Sequence, residues 1–536
     1  MDSNSNIINK KISFELIISL VFAAMYFLLQ TNLHTYDSID YTALAISDMP
    51  LERHFHSHHL LYHLILRAIA LLSKNVTWVS GDPFALLGFP AALFGGLSVG
   101  RIFYLARKVL PHFPSLIISL GSGFSYSFVF MSTEVEKYPI ALFFILQSIV
   151  SFEIHSRKIS HTQIVKSAVW LSFAVLVHQI SILIVLAFTS LLLFFKNELR
   201  IVKRFQLIVL FGLIISIITG IAYFTVTVIV KDLNWSDSFQ WMFAYASTGK
   251  WGNGFQTNPQ TWFDGHLRSL IGNPVYRTLT CFKTIPWLLV FTVFYGSLWA
   301  IAAMAIWFHR SSYRSSSFFY FFWFISFTIF IIWWEPYNTK VAMLMIPSLW
   351  LFWSYSLIAS KRIIQYFAFS ILLIFVTLIA YNNLTRGYYY HLPGADFNRA
   401  VASVIKKNTQ PDSLIVVPYN STIDRYLINF LDRKHAFSLE SLCQHVSSVE
   451  ELETIIDNSL KKLCSIDHPI YICGRVFIPV GKNPSAIISN DDVAEIMLDY
   501  FAFVELITEL PNDDKLYVLN KWKLCENNEL MVGGGS

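Results

Sequence analysis

Long apolar runs recur along this chain and leave nearly all of its charge in the short stretches between them. About eleven such runs stand out, at 13–30, 83–106, 114–131, 138–154, 164–178, 180–196, 205–230, 284–308, 316–333, 341–359 and 362–381, against the ~20 apolar residues a helix needs to cross a ~30 Å hydrocarbon core. Inside lipid such a run can satisfy its backbone polar groups only as a helix. Composition agrees: 54% of the 536 residues are hydrophobic and 14% are charged, with a mean hydropathy of +0.50. That is the balance of a polytopic α-helical membrane protein. The net charge of +5 comes from loop Lys and Arg and gives no reason to expect nucleic acid as a partner. Lys10 and Lys11 precede the first run with no small-residue cleavage site after it, so a retained first span is expected.

Basic loops stay on the inner side of a membrane, which sets the orientation. With the N-terminus inside, Lys10-Lys11, Arg107-Lys108, Arg157-Lys158, Lys196 through Arg204, His309-Arg310 with Arg314, and Lys361-Arg362 all fall inside. The outer segments are then 31–82, 132–137, the turn near 178, 231–283, 334–340 and everything after 381. This requires residues 59–73 to lie along the interface, which their short apolar length and polar residues favour. The 164–196 stretch reads either as two short helices meeting at His178-Gln179 or as one long tilted helix.

From about residue 395 the pattern changes. Asp396–Lys407, residues near 422–431, Ser447–Leu463 and 491–501 read as helices. Ser413–Pro418, Pro469–Cys473, 503–508 and 515–520 read as strands. Alternation of this kind predicts an α/β domain. The expected organisation is a membrane region over 1–381, with amphipathic outer loops 31–82 and 231–283, an outer-face α/β domain over 382–530, and an appended tail at 531–536. Of the five cysteines, Cys443 and Cys464 fit either a bridge or single thiols.

Several polar constellations sit at the outer helix ends, and each has a plain reading beside a functional one. Asp37 and Asp40 share a face by i,i+3 spacing if a helix starts there. A partly desolvated carboxylate at that position can take a proton from a hydroxyl, or Asp37 can be an ordinary helix cap. His54 with His58, and His59 with His63, have the i,i+4 spacing that can hold a metal on one helix face; contact with phosphate or sugar is favoured over metal. Glu134, Glu136, Lys137 and Tyr138 open another span, and the two carboxylates are expected to face different sides. Glu335, Asn338 and Lys340 flank the helix breaker Pro336. Ionisable groups at a membrane edge are costly to keep there without a use, although a Glu335–Lys340 ion pair is the plain alternative. His178 reads as structural. Trp235, Trp241, Trp251 and Trp262 suit either sugar stacking or interfacial anchoring.

Taken together, these motifs resemble the GT-C superfamily of membrane glycosyltransferases. Asp37 through Tyr41 resembles its acidic first-loop motif. His58-His59-Leu60-Leu61-Tyr62 and Glu134-Val135-Glu136-Lys137-Tyr138-Pro139 resemble motifs of bacterial members, and Trp334-Glu335-Pro336 with Asn338 and Lys340 looks like a late-helix motif of similar proteins. The chain departs from the protein O-mannosyltransferase pattern, because Ser38 follows Asp37, and it lacks a Trp-Trp-Asp-Tyr-Gly signature. The resemblance implies an inverting transfer of a hexose or pentose from a polyprenyl-phosphate carrier to a hydroxyl of a glycan, lipid or polysaccharide acceptor. It implies Asp37 as base with Asp40 behind it. Lys137, Lys340, His58 and His59 would contact the phosphate, and Glu134, Glu136, Tyr138, Glu335 and Asn338 the substrate, with a divalent metal ion as an optional cofactor. The implied location is a bacterial inner membrane, with the site facing the periplasm. A transporter or flippase of lipid-linked glycans, an O-antigen-type polymerase or ligase, and a scaffold are the competing readings. A transporter predicts internal symmetry and mid-membrane charge, and neither is evident.

Overall fold

The computed structural model describes residues 3–73, 82–154, 159–195, 199–243, 259–272, 314–335, 338–357, 362–417, 422–438 and 469–473. It also describes 293, 295–300, 448–451, 454, 476, 504–510 and 514–519. The chain divides into two compact units, one of Met1–Thr31 with Leu44–His391, the other of Asn32–Ala43 with Leu392–Ser536.

The first unit is helical. Each expected apolar stretch falls on a helix or a helix pair, except 284–308, which lies mostly outside the described residues. Pro83–Arg107, Ile201–Val230, Ser316–Trp334 and Ile364–His391 are long and apolar enough to cross a membrane. His112–Phe124 and Tyr126–Ser132 form one more span if taken as a pair bent by 61°. Phe14–Leu28, Tyr138–Phe152, His161–Val177 and Gln179–Phe194 are apolar but shorter. Tyr62–Ser73 has 12 residues, too short for a ~30 Å core at 1.5 Å per residue. Small residues let helices meet closely: a side chain at Gly96 would come within 2.4 Å of the Ala23 nitrogen and the Ser19 carbonyl, so the first helix packs backbone against backbone.

Two breaks shape this unit. Ser125 is extended (φ −57°, ψ 142°) between the halves of the bent pair. The carbonyls it frees are taken up by neighbours: Tyr26 Oη donates to Gly123 O at 2.6 Å, and Asn383 Nδ2 donates to Phe124 O at 2.8 Å. The second break is at His178 (φ −156°, ψ 113°), so the 164–196 stretch is two helical segments. The loop at 55–61 fills this break. Leu61 N donates to Leu176 O at 2.9 Å and Gln179 N donates to His58 O at 3.1 Å. Tyr223 Oη donates to Ser57 O at 2.5 Å. The non-helical backbone at this break has its polar groups satisfied by protein groups.

The second unit carries a five-stranded sheet in the order β2-β1-β3-β5-β4. The strands are β1 (Leu414–Val417), β2 (Ala436–Ser438), β3 (Ile470–Cys473), β4 (Val504–Leu510) and β5 (Asp514–Leu519). β1 pairs parallel with β2 and β3, whereas β5 pairs antiparallel with β3 and β4. β2 has three residues and gave no strand signal in the sequence. The helices expected at 447–463 and 491–501 lie mostly or wholly outside the described residues, as do Cys443 and Cys464. The Arg362–His391 helix runs through residue 381, and the division falls after His391. Residues 32–43 join this unit through Asp396, whose carboxylate caps Phe397–Asn408 and accepts from His34 N at 3.2 Å and from the Tyr426 hydroxyl.

Candidate functional site

In the first unit the motif Ser132–Pro139 leaves the bent pair as an irregular turn. Glu134 is 2% exposed, Glu136 0%, Lys137 3% and Tyr138 4%. The expected split of the two carboxylates rests on strand or helix alternation. The alternation rule needs strand or helix periodicity, and residues 133–137 have neither. Lys340 Nζ lies 2.8 Å from Glu136 Oε1, and Lys137 Nζ lies 3.6 Å from Oε2. Lys137 is the N-cap of Tyr138–Phe152, and Lys340 is in the first turn of Thr339–Leu357. Both residues therefore stand at the positive ends of helices, where a cation costs energy unless an anion compensates. Glu136 supplies a negative charge to both.

The cluster continues outward through rings. Lys137 lies 4.9 Å from the centre of the Tyr138 ring. Tyr138 meets His178 edge-on at 4.9 Å, and His178 is 4.8 Å from His59. His59 stacks on His56 at 4.9 Å and lies 6.2 Å from His63. Burial first, then the Lys137 charge, lowers the His58 pKa to about 4. Burial and then Lys137 also hold His59 well below the usual imidazole range. Both rings are neutral at pH 7, so they suit hydrogen bonding rather than charge pairing with a phosphate.

The metal reading of the histidines does not hold. His54 ends a 3₁₀ turn, Leu51–His54, and its Nε2 lies 3.3 Å from Met49 O. The following helix begins only at Tyr62, so neither His54/His58 nor His59/His63 lies on one helix face. Among the described residues, no group of three or more His, Cys, Asp or Glu could hold a metal ion. Glu335 is exposed and accepts from Asn338 Nδ2 at 3.0 Å. Asn338 Oδ1 in turn accepts from Lys340 N at 3.0 Å and Val341 N at 3.2 Å. The Glu335–Asn338 pair is thus a capping turn that starts the helix carrying Lys340. Trp251 lies outside the described residues, and Trp235 is 68% exposed.

In the second unit, Asp37 and Asp40 lie in the first part of the helix Tyr36–Ile46. Asp40 Oδ1 accepts from Asn429 Nδ2 at 3.2 Å, and Oδ2 lies 3.7 Å from Arg425 Nη1. The Arg425 guanidinium sits 4.1 Å from the centre of the Tyr36 ring. Burial pushes the Asp40 pKa up to about 7; the Asn429 hydrogen bond opposes this, while the Asp37 and Asp424 charges add to it. A carboxylate titrating near neutral pH is matched to proton transfer.

No family model matches the sequence, and no curated protein sequence matches it. Solved structures do match. ArnT from Cupriavidus metallidurans bound to undecaprenyl phosphate has a TM-score of 0.56 at 12% identity, over 95% of this chain and 97% of that one. The apo oligosaccharyltransferase of Archaeoglobus fulgidus has a TM-score of 0.53 at 12% identity, over 95% and 74%. Both are GT-C membrane glycosyltransferases. The chain has the GT-C fold. At this identity the likeness concerns the fold alone.

Within the GT-C fold, the residues that sequence reasoning missed are those brought in by distant chain. Arg425 and Asn429 reach Asp40 across nearly 390 residues, with no local signal. His178 was read as structural because it stands alone in the sequence. His56 was not separated from its histidine neighbours, although it is the ring stacked on His59.

Proposed function

We propose that this protein is a glycosyltransferase that moves a sugar from a polyprenyl-phosphate carrier to a hydroxyl of a lipid-linked or polysaccharide acceptor. Transfer takes place on the outer face of a bacterial inner membrane. The observation that carries the reading is the buried Glu136 held between Lys137 and Lys340 on a GT-C fold, which gathers two lysines at the starts of two helices. Such a site favours a phosphate. The similar ArnT structure holds undecaprenyl phosphate, and an archaeal oligosaccharyltransferase with TM-score 0.52 is in complex with a dolichol-phosphate.

In this reading Lys137 and Lys340 hold the donor phosphate, and Glu136 fixes both ammoniums. The neutral His58 and His59 rings and Tyr138 donate hydrogen bonds to phosphate or sugar, while Glu134 binds sugar hydroxyls. Asp37 takes the proton of the acceptor hydroxyl, and Asp40 sets its local charge and can accept that proton in its place. The acceptor oxygen forms a bond to the anomeric carbon as the bond from that carbon to the phosphate oxygen breaks. The polyprenyl phosphate leaves with both electrons, and the configuration inverts. Phosphate is a good enough leaving group to depart without a general acid, so the site need supply only a base and positive charge. In this reading the membrane region crosses about eleven times.

Asp37→Asn tests the base. Transfer from a polyprenyl-phosphate sugar is expected to fall by ~10²–10⁴, with thermal unfolding and donor binding unchanged. Transfer at the original rate would overturn the role of Asp37. The orientation is tested by single cysteines at Glu335 and Phe113, two exposed positions. A membrane-impermeant thiol reagent should label the first from outside and the second only after permeabilisation. Outside labelling of both defeats the topology.

A further inference from the structure

A polar cavity lies at the far end of the Pro83–Arg107 helix from the Glu136 cluster. A side chain built at Gly88 would come within 3.9 Å of the Glu134 backbone, so the Gly88 end belongs to the Glu136 cluster. Arg107 is about 19 residues further on, or ~28 Å along the helix. That is close to the thickness of a bilayer core, so the two ends reach opposite interfaces. The cavity has a volume of about 60 Å³ and is lined by Glu15, Phe103, Tyr104, Arg107, Lys108 and His112.

The charges around it do not balance. Glu15 Oε1 lies 2.7 Å from Arg101 Nη1, so its carboxylate is already matched. Arg107 Nη1 donates to Leu110 O, but its buried Nε has no acceptor among the described residues. Lys108 is exposed and rests its ammonium 4.5 Å from the centre of the Tyr104 ring. The cavity also lies beside His112, the first residue of the helix His112–Phe124. Apolar rings stand beside this basic mouth. Phe14 is 37% exposed and Phe113 60% exposed, and Phe14 packs edge-on against His112 at 6.0 Å. A cationic pocket the size of one phosphate, edged by exposed phenyl rings at an interface, presents two surfaces at once. A free phosphate uses only the first, whereas a phospholipid uses both.

We propose that this pocket binds the headgroup phosphate of an anionic phospholipid, with Arg107 and Lys108 on the phosphate and the acyl chains over Phe14 and Phe113. The site is separate from sugar transfer, and its test does not depend on that reading. The full-length protein is placed in nanodiscs of phosphatidylcholine with a minor share of phosphatidylglycerol. It is then extracted into detergent, and the retained lipid is counted by native mass spectrometry. The wild type should retain phosphatidylglycerol over phosphatidylcholine by at least about fivefold, the scale of one basic residue at an interface. Lys108→Glu, a change at an exposed position, should remove that preference and leave the unfolding temperature in pure phosphatidylcholine unchanged. Equal retention of the two lipids by the wild type overturns the proposal, as does an undiminished preference in Lys108→Glu. A third arm adds millimolar inorganic phosphate in detergent: if it stabilises the protein and phosphatidylglycerol adds nothing, the site is for free phosphate and the lipid assignment fails.

Discussion

Two acidic groups of this protein, Glu136 and Asp40, are built in opposite ways. In the first unit, Glu136 is fully buried and held by two ammoniums, at 2.8 and 3.6 Å. In the second, Asp40 keeps 35% of its side chain exposed and has one cation at 3.7 Å, with Asp37 and Asp424 adding negative charge nearby. The first arrangement fixes a charge pattern, because a buried pair at this distance has little freedom to move. The second leaves a carboxylate poised between its two protonation states. In the proposed transfer the first carboxylate fixes the two lysines and the second is suited to exchange a proton, so one residue class serves two purposes through its surroundings.

The largest expected effect comes from breaking the buried arrangement. Glu136→Gln keeps the shape and removes the charge between Lys137 and Lys340. Removing one partner of a buried ion pair costs about 3–5 kcal/mol, so the unfolding temperature in detergent should fall sharply. Donor binding should weaken as well, since the two ammoniums lose their anchor. An unfolding temperature equal to the wild type would mean that the cluster is hydrated, and the contrast with Asp40 would disappear.

Asp40→Asn sharpens the other side of the comparison. In the wild type the folded-state pKa near 7 lies above the unfolded value, so the folded protein binds the proton more tightly. This group's contribution to stability is therefore fully present below about pH 4 and is lost as pH rises to about 7. Transfer should rise over the same range as the carboxylate ionises. Asp40→Asn should flatten both profiles between pH 5 and 8. A pH–rate inflection near 7 that persists in the variant would belong to another group.

How much of this was legible beforehand follows the range of the interactions. The apolar runs fixed helices along the membrane region because hydrophobic length is a local property. The strands at 414–417 and 470–473 were also legible, since short apolar runs bounded by turn residues carry their own signal. Glu136, Lys137 and Lys340 could be nominated, but not their pairing. Nothing local says that Lys340 turns to Glu136 rather than to Glu335. The histidine loop misled because i,i+4 spacing carries geometric meaning only inside a helix, and here the chain is held irregular by the break at His178. β2 escaped because three residues do not make a pattern.

His58→Gln probes a smaller term. With its pKa lowered to about 4, the folded protein binds this proton less tightly than the unfolded chain does. Stability from this group is present above about pH 6.5 and is lost as pH falls toward 4. The variant should lose part of the acid sensitivity of thermal unfolding in that window. Acid unfolding identical in variant and wild type would assign the sensitivity to His59 or to other groups.

The smallest effect is expected at Glu335. Its carboxylate is exposed and holds the amide of Asn338, while Asn338 caps the helix that delivers Lys340. Glu335→Gln can still accept that hydrogen bond, so stability should stay within about 0.5 kcal/mol, the scale of surface substitutions. Asn338→Ala should cost more, about 1 kcal/mol, because the cap itself is lost. The pair therefore separates two roles that the sequence left joined. If Glu335→Gln lowers sugar transfer more than tenfold while the protein stays folded, Glu335 touches the substrate directly. If transfer holds and only Asn338→Ala weakens it, the turn acts through the placement of Lys340 beside Glu136.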